Sequence, residues 1–325
     1  MLRTLILFFS SAIAGVGSTG LLAQDSAARG APSQRVAGAE ALDWAALQQR
    51  TPWVFLGDSN TYAGGYVAQL DVRLRALESP PKLLNLGVSS ETASGLSEVD
   101  HPFKRPCVHE RLSKVLTMTR PGVVFVCYGM NDGIYAPPSP ERLQAYQAGM
   151  LRLAEAVHAS GAVLVCLTPP IFEPEPLAEK GKLGPAESGR YAYFAPYPQY
   201  DDVLEQQTQW CLDNEMGAQW VIDLHAMLHA EKKKRQTDDP SFVFSGDGIH
   251  FNSQAHAMIA ERILRDLPVP DEIRGQSPAP DDVERAGKRM QILRNAYLSA
   301  TGKNRPGLPA GDPIWYAERA AARLP

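Results

Sequence analysis

Cysteine and net charge are both scarce in this sequence. Only four cysteines occur in 325 residues, and they form no CxxC pair and no Cys/His spacing of a metal site, which excludes a disulfide scaffold. The 32 Lys and Arg residues nearly balance 36 Asp and Glu residues, and long basic blocks are missing, so a nucleic-acid partner has no electrostatic support. With 44% hydrophobic and 21% charged residues, the composition is globular and excludes wholesale disorder.

Long apolar runs are missing after the N-terminus. Residues 1–23 place Arg3 before an apolar run that is followed by small residues, which is the layout of a secretory signal peptide. The run is shorter than the roughly 20 residues that span a bilayer. We therefore predict an exported protein, periplasmic or secreted, with no integral membrane segment after cleavage. Residues 24–45 are small and polar and are predicted to form a linker.

Five short apolar runs alternate with longer amphipathic segments in the following part of the chain. Continuous apolar runs rich in β-branched residues are typical of strands covered on both faces, and apolar residues at steps of three and four predict helices. This alternation predicts an α/β fold with a mainly parallel sheet and right-handed crossovers. The predicted strands are residues 53–56, 83–86, 123–128, 163–167 and 220–224, and the clearest helices are 141–158, 201–212 and 253–264.

Polar fragments follow several of these strands, at the edge where parallel sheets hold their reactive groups. They read GDSN at 57–60, NLG at 85–87, GMND at 129–132 and, before a late helix, GDGIH at 246–250. Each fragment alone is commonly a turn or a helix cap. Four of them in this order indicate a shared site.

This joint pattern resembles the SGNH (GDSL-type) family of serine hydrolases over roughly residues 50–266. The flanking stretches NLGVSSETASGLSE, CYGMNDGIY and TGKNRPG are similar to an exported bacterial subgroup. The resemblance implies a flavodoxin-like three-layer α/β/α sandwich with a five-stranded sheet, spanning 46–267, and no cofactor or metal. One departure is Ser90, which stands where many members have a second glycine.

The resemblance also implies the roles of the site residues. Ser59 is the expected nucleophile, His250 the general base and acid, and Asp247 the residue that orients His250. The expected oxyanion hole consists of the backbone N–H groups of Ser59 and Gly87 and the side-chain amide of Asn131.

The residue types suit this chemistry. A serine hydroxyl is a weak nucleophile until a base takes its proton, and a carboxylate on the other imidazole nitrogen fixes the tautomer. An oxyanion needs preorganised donors, and the neutral amide of Asn131 donates where an aspartate would repel the developing charge. Asp58 and Asp132, beside Ser59 and Asn131, are expected to hold their loops.

A long insertion at 169–200 leaves the fourth strand and should lie beside the site. Its last ten residues contain five aromatic side chains. We predict that this segment forms one wall of a groove for an extended substrate. The alternative is that its aromatic rings anchor the loop on the core. The predicted substrate-binding residues are Tyr191, Tyr193, Phe194 and Tyr197.

The predicted activity is a serine esterase that removes O-acetyl or other short acyl groups from a carbohydrate. Lipid or lysophospholipid esters, acyl transfer to an alcohol and a non-catalytic carbohydrate-binding protein remain alternatives. An α/β-hydrolase is disfavoured because the chain lacks a Gly-x-Ser-x-Gly elbow. A metal-dependent hydrolase built on Asp223, His225 and His229 is also disfavoured. Two histidines four residues apart on a helix can bind zinc, but the sequence has no HExxH motif and no third strong ligand nearby. Residues 268–325 are predicted to be a helical appendage without a catalytic motif.

Overall fold

The structure is a computed structural model, and it describes residues 42–187, 189–302 and 305–324. The predicted signal peptide and nearly all of the predicted linker lie outside the described residues. Among the described residues, no helix has the length and apolarity needed to cross a membrane.

The core is one five-stranded parallel sheet in the order β2-β1-β3-β4-β5. Consecutive residues of β1 point to opposite faces: Trp53 and Phe55 belong to one apolar cluster, Val54 and Leu56 to the other. Because both faces are covered, the strands are continuously apolar, and the predicted sheet is confirmed. The strands are β1 (Trp53–Gly57), β2 (Leu83–Asn85), β3 (Val123–Cys127), β4 (Val163–Leu167) and β5 (Trp220–Ile222).

Helices cover both faces of the sheet and complete the predicted three-layer α/β/α sandwich. They are α1 (Trp44–Gln49), α2 (Ser59–Ala63), α3 (Gly65–Leu74), α4 (Leu112–Thr119), α5 (Pro140–Ala159), α6 (Glu175–Glu179), α7 (Asp201–Asp213), α8 (Leu224–Arg235), α9 (Ser253–Asp266), α10 (Pro280–Thr301) and α11 (Ile314–Ala321). Helices α1, α3, α8 and α9 pack on one face, and α4, α5 and α7 on the other.

Helix α10, in the C-terminal part of the chain, is part of this core. It runs beside α3 and the edge strand β2. Its first half places Ala286 and Met290 in one apolar cluster, and its second half places Tyr297 and Leu298 in the other. The segment predicted as an appendage therefore covers the β2 edge of the sheet, which would otherwise be open to pairing with another chain.

The described residues include the end of the predicted linker, residues 42–45. Asp43 caps α1 by accepting a hydrogen bond from the Ala46 N–H at 2.8 Å. Trp44 then packs edge-on against Trp53, with ring centroids 6.3 Å apart. This contact draws the first helix onto the sheet.

All four cysteines are free thiols. Cys127 and Cys166 are buried in β3 and β4, as small apolar residues of the strands, and Cys211 is buried in α7. Cys107 and Cys211 are not bonded to each other.

The packing of α10 predicts how a core truncation there affects stability. Met290→Ala should lower the free energy of unfolding by about 2–4 kcal/mol, because it leaves a cavity between α10 and the sheet layer. Lys288→Ala, two residues away in an exposed pair with Glu284, should change it by less than about 0.5 kcal/mol. Urea unfolding measures both, and equal small effects would show that α10 is a dispensable appendage.

Candidate active site

Ser59 lies where β1 passes into α2 at the carboxyl edge of the sheet. Asp58 caps α2: its buried carboxylate accepts a hydrogen bond from the Asn60 N–H at 2.9 Å, as expected for a loop-holding residue. Gly57 is needed because a Cβ there would lie 2.2 Å from the Thr61 hydroxyl and 2.8 Å from the Cys127 carbonyl oxygen. Burial raises the pKa of Asp58 to about 7, against the opposing effects of the Asn60 bond and of the nearby His250.

Ser59, His250 and Asp247 form a continuous hydrogen-bonded chain. The His250 Nε2 lies 2.9 Å from the Ser59 Oγ, and its Nδ1 lies 2.7 Å from the Asp247 Oδ2. The other Asp247 oxygen accepts the backbone N–H groups of Ile249 and His250, at 3.0 and 2.8 Å. The three predicted side chains are therefore together in a hydrogen-bonded order suited to proton transfer.

These contacts shift both ionisable groups. The hydrogen bond to Asp247 raises the pKa of His250, against a smaller opposing effect of burial. Burial opposes ionisation of Asp247, but the hydrogen bonds from His250 and from its own loop hold the Asp247 pKa below its usual range. The carboxylate is thus ionised at neutral pH, and it stabilises the imidazolium form of His250 relative to a free histidine.

Asn60 ties the two distant parts of this site together. Its Nδ2 donates to the Ile249 carbonyl at 3.0 Å, and its Oδ1 accepts the Phe251 N–H at 3.2 Å. The bonded residues are 189 and 191 positions apart in the chain and lie on either side of His250. The sequence pattern assigns Asn60 no role, and only its place in the GDSN fragment associates it with the site.

Asn131 has a fixed amide orientation beside Ser59. Its Nδ2 donates to the Glu91 carbonyl at 3.1 Å, and its Oδ1 accepts the Tyr135 hydroxyl at 3.0 Å. The neighbouring Asp132 accepts the Ala93 and Ser94 N–H groups at 2.8 and 2.7 Å. Because an amide carries two N–H donors, Asn131 keeps one for a ligand.

The predicted role of Gly87 does not agree with this geometry. Its N–H donates to the Asn85 Oδ1 at 3.0 Å, and Gly87 does not line the cavity around Ser59. The glycine serves packing instead, because a Cβ would lie 2.5 Å from the Tyr62 nitrogen and 2.8 Å from the Thr61 carbonyl carbon in α2. The Asn85 Nδ2 reinforces this approach by donating to the Thr61 carbonyl at 2.7 Å.

Ser90, the departure from the family pattern, faces the cavity in a left-handed conformation. Its φ is +67°, at the third position of a turn closed by the Glu91 N–H and the Val88 carbonyl. Glycine is favoured at such a position because it has no Cβ. The Ser90 carbonyl accepts a hydrogen bond from the Arg105 Nη1 at 3.3 Å.

A cavity of about 260 Å³ opens over these groups. Ser59, Asn131 and His250 line it together with several residues that the sequence analysis did not assign to the site. These are Ser89, Ser90, His101, Pro102, Phe103, Arg105, Tyr135, Ile249 and Arg305. The TGKNRPG stretch, which contains Arg305, was the one sequence signal for this C-terminal contribution.

The aromatic residues of the insertion divide between the two predicted roles. Tyr193 lines the cavity and contacts the His101 ring edge-on at 5.5 Å, and Phe194 is exposed beside it. Tyr191 and Tyr197 pack edge-on against each other at 5.9 Å. Tyr200 is fully buried and donates to the Met130 carbonyl at 2.9 Å. Tyr193 therefore lies at the cavity, whereas Tyr200 is anchored in the core.

The structure places a different carboxylate beside His225 and His229 than the disfavoured metal cluster would have. Asp223 caps α8 by accepting the Ala226 N–H at 2.9 Å, and Asp201 takes its place beside the two histidines. The Asp201 Oδ2 lies 2.6 Å from the His229 Nε2, and its Oδ1 lies 3.4 Å from the His225 Nε2. Three such donors could hold a metal ion, but none of them lines the cavity over Ser59.

The sequence model of the GDSL-like lipase/acylhydrolase family matches residues 55–258, more than half of the chain. The match covers nearly all of the sheet and the site at its strand ends. This chain therefore belongs to the GDSL-like lipase/acylhydrolase family. It is, more narrowly, a carboxylic ester hydrolase of the SGNH type, as its sequence predicts.

Several solved structures resemble it weakly. A catalytic mutant of an acetylxylan esterase from Geobacillus stearothermophilus is 18% identical with a TM-score of 0.48, covering 69% of this chain and 96% of that one. The psychrotrophic esterase EstA from Pseudoalteromonas sp. is 19% identical with a TM-score of 0.44, covering 66% and 94%.

A gut microbial diltiazem-metabolizing enzyme is 19% identical with a TM-score of 0.47, covering 68% of this chain. This chain spans only 48% of that enzyme's length. None of the curated protein sequences matches. At these identities the substrates of the similar enzymes say nothing about the substrate of this chain.

Proposed function

We propose that this protein is a serine esterase that works through an acyl-enzyme, with Ser59 as nucleophile. The observation that carries the proposal is the contact of His250 with the Ser59 Oγ at 2.9 Å and with Asp247 at 2.7 Å. The Ser59 Oγ attacks the ester carbonyl carbon while His250 takes its proton. The tetrahedral intermediate then expels the alcohol, which receives that proton. Water attacks the acyl-enzyme and gives a proton to His250; the second tetrahedral intermediate then releases the carboxylic acid as the Ser59 Oγ takes that proton back.

The proposed oxyanion hole differs from the predicted one in a single member. The Ser59 N–H and the second Asn131 amide N–H are retained as donors. Because the Gly87 N–H is engaged by Asn85, the backbone N–H of Ser90 replaces it. Ser90 lines the cavity in a left-handed backbone conformation. The hydrogen bond from Arg105 to the Ser90 carbonyl holds this conformation.

The size of the cavity supports a short acyl group. About 260 Å³ accommodates an acetyl group and part of a sugar ring, but it is below the range of most pockets for drug-sized ligands and is too small for a long acyl chain. Tyr193 and Phe103 provide flat faces at its wall. We therefore propose O-acetyl or similar short esters of a carbohydrate as substrate, met outside the cytoplasm after export through the N-terminal segment.

The function is tested with a panel of esters. Acetylated oligosaccharides and 4-nitrophenyl acetate should be hydrolysed, and 4-nitrophenyl palmitate should be hydrolysed at least about 100-fold more slowly, since its chain exceeds the cavity. Ser59→Ala should lower kcat by roughly 10⁴-fold or more on every substrate that is cleaved. Full activity of Ser59→Ala, or a preference for palmitate, would contradict the proposal.

The oxyanion role of Asn131 is tested by Asn131→Asp. A carboxylate would repel the developing negative charge and remove a donor, so kcat should fall by about 10²–10³-fold with little change in KM. The melting temperature of the variant measures any accompanying loss of structure. Unchanged turnover in a folded Asn131→Asp protein would remove Asn131 from the oxyanion hole.

The charge state of His250 predicts the acid limb of the pH profile. Only neutral His250 acts as base, so kcat/KM should rise with pH through a midpoint above the ordinary histidine pKa of about 6.5. Asp247→Asn removes the interaction that raises this pKa. The limb should therefore move to lower pH, while the rate falls by about 10³–10⁴-fold.

Asp58 provides the control, because its pKa of about 7 lies in the same range. Asp58→Asn keeps a capping side chain for α2 but cannot ionise. The acid limb should persist in this variant. Its disappearance would assign the limb to Asp58 instead of His250.

A further inference from the structure

Arg305 brings a cation from the C-terminal segment into the cleft. It lies three residues after Gly302, the left-handed C-cap of α10, whose φ is +87°. Its side chain lines the same cavity as Ser59 and His250. The guanidinium carbon lies 5.3 Å from the centre of the Phe103 ring, so the ring supports the cation on one side.

Arg305 has no carboxylate partner among the residues that the structure describes. Its Nη1 donates to the carbonyl of the adjacent Pro306 at 3.0 Å, and its buried Nε has no hydrogen-bond partner in that part of the chain. A buried, unpaired N–H of a charged group is costly unless a ligand completes it.

The other ionisable side chains that line the cavity are paired or uncharged. Arg105 forms a bidentate pair with the buried Glu98, at 2.5 and 2.6 Å. Asp100 pairs with Arg190, and Asp247 pairs with His250. Burial, with the nearby Arg105 charge, lowers the pKa of His101, so this ring adds no cation at neutral pH. The described wall of the cleft therefore carries one uncompensated positive charge.

We infer that Arg305 binds an anionic group of the substrate, and that the natural ester is carried by an acidic saccharide. A planar guanidinium suits a carboxylate or a sulfate, each of which can accept two parallel N–H bonds. A uronic acid and a sulfated sugar both supply this chemistry. The inference rests on the proposed esterase function and adds a substrate class to it.

The experiment compares three acetylated oligosaccharides: one containing a uronic acid, one carrying a sulfate group and one neutral. The wild-type protein should cleave at least one acidic ester with a kcat/KM that exceeds the value for the neutral ester. Arg305→Gln should lower kcat/KM for that acidic ester by about 10–100-fold, mainly through KM, because one charge-assisted contact is lost. The loss on the neutral ester should be at least about fivefold smaller than the loss on the acidic ester.

Two further variants sharpen the comparison. Arg305→Lys keeps the charge without the planar fork, so it should recover part of the loss. Arg323→Gln removes an exposed cation at the C-terminus, outside the cleft lining, and should leave all three esters unaffected. The relative rates on the uronate and sulfate esters identify which anion is recognised.

Binding is measured separately from turnover. In a Ser59→Ala background, titration calorimetry with the deacetylated acidic oligosaccharide should give a Kd about 10–100-fold higher once Arg305→Gln is added. Equal losses on neutral and acidic esters, no wild-type preference for either acidic ester, or unchanged binding would overturn the inference. Ester hydrolysis that depends on Ser59 would still stand in each of these cases, so failure of the inference is distinguishable from failure of the proposed function.

Discussion

The side-chain amide of Asn60 is the interaction on which the site depends. It bonds the carbonyl of Ile249 and the N–H of Phe251, so both flanks of His250 are fixed to the residue that follows Ser59. These backbone groups are buried and would be unsatisfied without it. One short polar side chain thus closes a loop of almost 200 residues, and the close contact of Ser59 with His250 follows from that closure.

A buried ion pair supports the opposite wall. Arg111 binds Glu91 through two hydrogen bonds of 2.6 Å and also donates to the Leu86 carbonyl at 2.7 Å. The Tyr128 hydroxyl donates to the same carboxylate at 2.6 Å. Buried pairs of this kind contribute little net stability, but removing one partner is strongly destabilising. These bonds attach the segment that contains Ser90 to Leu86, just after β2, and to Tyr128, just after β3, and the Glu91 carbonyl orients Asn131.

The C-terminal segment belongs to the site as well as to the core. Arg294 of α10 donates to the Tyr62 carbonyl at the end of α2, and its guanidinium lies 3.7 Å from the centre of the Tyr62 ring. The helix that begins with Ser59 is thus braced from one side by α10. Arg305 then extends the same segment into the cleft. The segment after α9 therefore contributes both to the support of α2 and to the wall of the cavity.

The amino-acid sequence by itself determined the strands, their mainly parallel arrangement and the polar fragments at three strand ends. A parallel sheet buried on both faces needs continuous apolar runs, and its topology gathers the strand ends, so local patterns suffice for both. Only the tertiary structure directed the Gly87 N–H to Asn85, placed Ser90 at the cavity, put Asp201 beside His225, and brought Arg305 into the cleft. Those outcomes depend on loop direction and on contacts between residues far apart in the chain, which leave no periodic trace in the sequence.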